Sequence, residues 1–98
     1  MREKQSRFVK MVAELIRYAY GDGYELTFGD AYARSGHKPN SLHYDRLAVD
    51  LNLFRDGVFL FRSEDHKPLG EFWESIGGSW GGRFGDGNHY SLEHHGRR

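Results

Sequence analysis

The chain has no cysteine. Disulfides are therefore excluded, as are thiolate metal sites, and any zinc site must be assembled from His, Asp or Glu. It also lacks an excess of either charge, with 14 Lys and Arg against 14 Asp and Glu. No basic field therefore speaks for nucleic acid as a partner. No apolar run is long enough to span a bilayer, so membrane insertion is not expected. The opening MREKQSRFVK has neither the apolar segment nor the cleavage site of a secretory signal. Synthesis in the cytoplasm is expected, with another protein providing release if the substrate lies outside. At 98 residues the chain is read as one domain, 1–98, and as a monomer. Its core is modest, burying roughly 60–65 % of the unfolded surface.

What is abundant is glycine, with 13 residues, and aromatics, at 15 %. The glycines gather late, at Gly77, Gly78, Gly81, Gly82, Gly85 and Gly87, which predicts an irregular loop there. Earlier, Phe8, Met11, Val12, Leu15, Ile16 and Ala19 repeat at helical spacing, and Gly21 and Gly23 end that helix. Residues 24–28 alternate as a short strand, 29–46 read as loop, and 47–54 as a second strand. Asp56-Gly57 signals a hairpin, returning through 58–62. Pro68 to Ile76 predict a helix turning Leu69, Phe72, Trp73 and Ile76 inward, and 89–92 a last strand, with a mobile tail from Glu93. The fold class is α+β, a small, mainly antiparallel sheet flanked by helices.

One residue breaks the pattern. Along the 47–54 strand Leu47, Val49, Leu51 and Leu53 share a face, and Asp50 sits on the other. A carboxylate removed from water needs a partner. His43 is seven residues earlier, a separation of roughly 23 Å on a straight strand and roughly 10 Å along a helix. For the two to meet, the chain between them must fold back. His89 opens the last strand, and if that strand lies beside 47–54, His89 faces Asp50. His43, Asp50 and His89 would then supply three ligands to a tetrahedral zinc and leave one position open, the pattern of a catalytic site. Asp86, three residues before His89 across a turn opened by Gly85 and Gly87, is placed to act as general base.

These residues form two motifs. Ser41-x-His43, four residues, Ala48-x-Asp50 resembles the first motif of the zinc peptidases that cut peptidoglycan stem peptides, and Asp86-x-x-His89-Tyr90 the second. That family includes D-alanyl-D-alanine carboxypeptidases and the L-alanyl-D-glutamate endopeptidases of phage endolysins. WGGRFGDGNHY (80–90) and LAVDLNLF before a DG hairpin are similar to the endolysin branch. The resemblance implies a Hedgehog/D-Ala-D-Ala peptidase-like fold and Zn2+ held by His43, Asp50 and His89. It also implies Asp86 as catalytic acid/base and the peptidoglycan stem peptide as partner, with action at the bacterial cell wall after release. Arg34 is the carry-over of an arginine that stabilises the oxyanion, and Ser41, Trp80 and Tyr90 are the expected substrate contacts. The sequence departs from the pattern at Arg46, where many relatives have Gly, and at Asp86, where carboxypeptidases tend to have Glu.

Other readings stand beside these. Asp50 can pair with Arg46 or Arg34, though a buried ion pair is of doubtful net benefit. His43 can be a strand-edge residue bonded to backbone, and Asp86 a turn residue. Trp80 and Tyr90 are residue types more often found as core or rim aromatics than as substrate platforms. His37, His94 and His95, in loop and tail, read as surface, as do Glu71 and Glu74. The functional alternatives are a D-alanyl-D-alanine carboxypeptidase and a zinc-bound module of the same fold without catalysis.

Overall fold

Helix α1 spans Arg2–Gly21, starting earlier than its apolar stripe because charged residues extend it into solvent. The computed structural model describes residues 1–29 and 45–96. Phe8, Met11, Leu15 and Ala19 are the buried face of α1, as their spacing predicts. The helix ends where Asp22 returns its N–H to Tyr18 and Ala19, and Tyr24 N–H bonds the Ala19 carbonyl at 2.9 Å.

Among the described residues the sheet has five strands: β1 (Glu25–Phe28), β2 (Ala48–Arg55), β3 (Val58–Leu60), β4 (Ser79–Trp80) and β5 (His89–Ser91). Their order is β1-β2-β5-β4, with β3 also paired to β2, and every pairing is antiparallel. β2 is the central strand: β1 covers residues 51–54, β3 residues 53–55 and β5 residues 48–50. The expected loop before it lies mostly outside the described residues. Arg46, where the chain turns into β2, holds φ at 59°, the left-handed conformation in which glycine is easiest.

Because side chains alternate across a strand, the register assigns the faces. Leu51 and Leu53 of β2, with Val49 and Tyr90 paired across β2 and β5, are buried against the helices. Helix α2 (Lys67–Ser75) lies there too, with Leu69 and Trp73 buried and Pro68 in its first turn. Trp73 is the centre of this layer. Phe8 meets its ring edge-on at 5.8 Å and Tyr90 at 6.0 Å, and its Nε1–H donates to the Ser91 carbonyl at 2.9 Å. Two helices on one side of a small antiparallel sheet make the fold α+β, as expected.

Several boundaries differ from the sequence reading. The return strand stops at Leu60, and a 3-10 turn, Ser63–His66, precedes α2. Asp65 explains the change, since its carboxylate accepts the Arg62 N–H at 3.1 Å and ends the strand there. The glycine-rich stretch is not an irregular loop but β4 followed by a 3-10 turn, Gly81–Phe84. The tail does not hang free at Glu93, because Lys4 Nζ donates to the Glu93 carbonyl and contacts His94 Nδ1 at 3.2 Å. Glu74 faces solvent as expected, where Arg83 binds both of its carboxylate oxygens at 2.9 and 2.7 Å and holds its pKa below the usual range.

The hairpin between β2 and β3 turns at Asp56 (φ 53°) and Gly57 (φ 78°), a two-residue loop requiring positive φ at both positions. A Cβ at Gly57 would touch nothing within 4 Å, so only backbone conformation opposes a side chain there. Gly57→Ala is expected to cost about 1 kcal/mol, lowering the thermal midpoint by about 5 °C. Thermal unfolding followed by circular dichroism measures this, and an unchanged midpoint contradicts it.

Candidate active site

The face of the sheet turned away from the helices carries the polar residues of β2. Asp50 pairs with His89, Asn52 with Thr27, and Phe54 with Phe59, each pair side by side. The Asp50 carbonyl accepts from Gly29 on the β1 side at 2.8 Å, and the His89 N–H turns away to the Asp86 carbonyl at 3.1 Å. Neither group is spent on the other strand, so Asp50 and His89 form the closer, non-hydrogen-bonded kind of antiparallel pair, in which side chains approach most nearly. His89 Nδ1 lies 3.3 Å from Asp50 Oδ1, with side chains 9 % and 18 % exposed.

That separation bears on whether a metal ion fits. A direct charge-assisted bond between imidazole and carboxylate closes to about 2.7–2.9 Å. Two ligand atoms each about 2.0–2.1 Å from a tetrahedral zinc stand about 3.3 Å apart. One imidazole and one carboxylate, shielded from solvent at Oδ1 and Nε2, are also the donor types zinc takes when thiolates are absent. The pair fits the ion. His43, the expected third ligand, lies outside the described residues, as do Arg34, Ser41 and His37. Among the described residues no group of three His, Asp or Glu that can hold a metal ion forms.

The segment before His89 is held by close packing. Residues 86–89 make a tight turn closed by the His89-to-Asp86 hydrogen bond, and the Asp86 N–H bonds the Gly81 carbonyl at 2.9 Å. A Cβ on Gly81 would lie 2.2 Å from the Asp86 carbonyl and 2.7 Å from His89 Cβ, so only glycine lets that backbone lie against the histidine. Trp80 Nε1–H donates to the Gly87 carbonyl at 2.8 Å, and Ser63 Oγ accepts the Gly87 N–H at 2.9 Å while donating to the Gly85 carbonyl at 3.0 Å. Asp86 itself is exposed and lines a cavity of about 190 Å3.

Trp80 and Tyr90, expected at the substrate, are instead core residues, 4 % and 0 % exposed. The alternation that turns His89 outward turns Tyr90 inward, and the Trp80 indole is fastened under the 86–89 turn. Tyr90 meets a residue that sequence reasoning passed over. His66 is 3 % exposed and its Nδ1 lies 2.7 Å from the Tyr90 hydroxyl. Burial lowers the pKa of His66 to about 4, against a smaller opposing pull from Asp65, and burial pushes the Tyr90 hydroxyl up. Both shifts keep the pair neutral, so the two groups share one hydrogen bond whose donor follows the tautomer of His66. The signal was spacing: His66, Leu69 and Trp73 continue one helical face.

The paired Asp50 and His89 are thus built on β2 and β5, with Asp86 on the turn that leads into β5, within a stretch that known proteins share. A family model described as D-alanyl-D-alanine carboxypeptidase matches residues 34–92, more than half of the chain. The chain belongs to this peptidase family. The family acts on peptidoglycan, and the matched stretch of the peptidase runs from Arg34 to the end of the sheet, including Ser41, His43, Asp50, Asp86 and His89. No curated protein matches the peptidase. Among the described residues no helix is long and apolar enough to cross a membrane.

The buried His66 gives the peptidase an acid-sensitive core. Because its folded pKa lies below the unfolded value of 6.5, the unfolded chain binds the extra proton first, and stability falls as pH drops from about 6.5 towards 4. The slope is up to about 1.4 kcal/mol per pH unit. Urea unfolding at pH 7 and pH 4.5 should show wild type losing on the order of 2 kcal/mol more than His66→Gln. Equal losses would mean that His66 is not the group responsible.

Proposed function

We propose that this peptidase is a zinc-dependent hydrolase of peptidoglycan stem peptides, a single domain over residues 1–98 of the endolysin type, cutting the L-alanyl-D-glutamate bond at the bacterial wall after release from the host cytoplasm. The observation that carries the reading is the in-register pair Asp50–His89, its donor atoms 3.3 Å apart on the polar face of the sheet. With His43 these residues would hold the ion. Zinc, when bound, supplies Lewis-acid polarisation of the amide carbonyl and a nucleophilic water near neutral pH.

The chain's own residues then have distinct tasks. Asp86, exposed beside a cavity and three residues from His89, takes the proton of the attacking water and returns it to the leaving amine. Arg34 donates to the oxyanion as the carbonyl carbon becomes tetrahedral, and Ser41 contacts the substrate. The short aspartate in place of the glutamate common among carboxypeptidases is served by the tight 86–89 turn, which brings its backbone close to His89. The description of the matched family favours a second specificity, removal of the terminal D-alanine from D-alanyl-D-alanine.

Zinc-loaded protein should solubilise purified cell walls, and mass spectrometry of the fragments names the severed bond. Asp86→Ala should lower the rate by about 10²–10⁴-fold with zinc content unchanged, whereas His89→Ala should lose the zinc. Undiminished activity in Asp86→Ala removes that residue from the mechanism. Bound zinc without wall hydrolysis by wild type favours a non-catalytic binding module.

A further inference from the structure

Beside Asp50 and His89 the sheet has a notch. β5 pairs with residues 48–50 of β2 and β3 with 53–55, so the stretch between them is bordered by the 85–88 turn and the chain leaving β3. The cavity of about 190 Å3 occupies this notch, and Asn52, Phe59, Phe61, Arg62, Asp86 and Asn88 are among its walls. It therefore opens directly beside the acid assigned to proton transfer. We propose that this cavity is the subsite for a free carboxylate of the stem peptide, with Arg62 as the residue that recognises it, an inference that rests on the peptidase reading above.

Charge is the first argument. Stem peptides of peptidoglycan are acidic, and a guanidinium binds a carboxylate through two parallel hydrogen bonds. Arg62 is ready for exchange: its contact with Glu64 is long, 3.8 Å, between side chains 66 % and 75 % exposed. Such a pair contributes little and is readily given up. Aromatic surface is the second argument. Phe61 is 73 % and Phe59 50 % exposed, and the two rings stand 6.5 Å apart as an apolar surface beside the cavity, with Phe59 also meeting Phe54 at 5.4 Å. The Arg62 guanidinium lies 5.8 Å over the Phe61 ring, which restricts where the cation points. Rigidity is the third. Ser63 Oγ joins the Arg62 segment to Gly85 and Gly87 on either side of Asp86, so the carboxylate-binding end and the proton-transfer end keep a constant spacing.

The test compares a stem peptide bearing free carboxylates with its carboxamide form, on wild type and Arg62→Gln. With zinc-loaded enzyme, Arg62→Gln should raise KM for the acid form roughly tenfold, the loss of a charged hydrogen bond, leave kcat unchanged and leave the amide form unaffected. Arg62→Lys should recover part of the loss, since it restores charge without the fork. A KM for the acid form that stays within about twofold in Arg62→Gln overturns the subsite while leaving the peptidase reading intact. If wild type cleaves neither form, the peptidase reading fails, and calorimetric titration of the same two peptides decides the subsite by itself. Tighter binding of the acid form, abolished in Arg62→Gln, supports it, and equal binding of both forms overturns it. Arg62 is exposed, so an unchanged thermal midpoint in Arg62→Gln confirms that the variant is folded.

Discussion

Everything at the site depends on the register between β2 and β5. The period of a strand is two, so a slip of β5 by one residue would carry His89 into the core and bring Tyr90 to the surface, and a slip of β2 would do the same to Asp50 and Val49. The native register is protected because both alternatives are costly. The first would bury an imidazole among aliphatic side chains and expose a tyrosine whose hydroxyl is committed to His66, and the second would bury a carboxylate. Hydrophobic burial on one face thereby sets the distance between two polar atoms on the other. The site is held from behind, by the packing of Leu51, Tyr90 and Trp73, more than by bonds within the site itself.

The loop carrying Asp86 is constrained differently. It has almost no aliphatic side chains to bury, and its order comes from backbone groups lying against flat rings and other backbone. Trp80 sits between Gly70 and Gly82, where a Cβ at either position would come within 2.1 Å of its ring. Gly87 is held from two sides by Ser63 and Trp80. Positioning by such contact leaves little room for adjustment, which suits the proton-transfer role proposed for Asp86.

Much of this was legible in the sequence. The helical stripe of α1, the DG hairpin and the apolar alternation of β2 are strong periodic or turn signals. The pairing of His89 with Asp50 followed from setting the last strand beside the second. The errors share one cause: composition says little about close packing. Six late glycines read as looseness, whereas at Gly81 and Gly87 the absent side chain permits contact. The resemblance assigns Trp80 and Tyr90 to the substrate, beside a core reading that burial favours, since tyrosine at position 90 must point opposite to histidine at 89. His66 went unnoticed because a single histidine before a proline carries no pattern until the inward face of α2 is extended backwards. Arg34, Ser41, His43 and His37 belong to a stretch the described residues do not reach.

The Trp80 indole has one more consequence. The chain has two tryptophans, at 73 and 80, and both are buried. Trp73 senses the helical layer, while Trp80 donates its only proton to the carbonyl of the residue next to Asp86. With Trp73 replaced by phenylalanine, the intrinsic fluorescence of the remaining ring would become an optical gauge of the 86–89 turn. Ligand arrival could then be timed without attaching any dye.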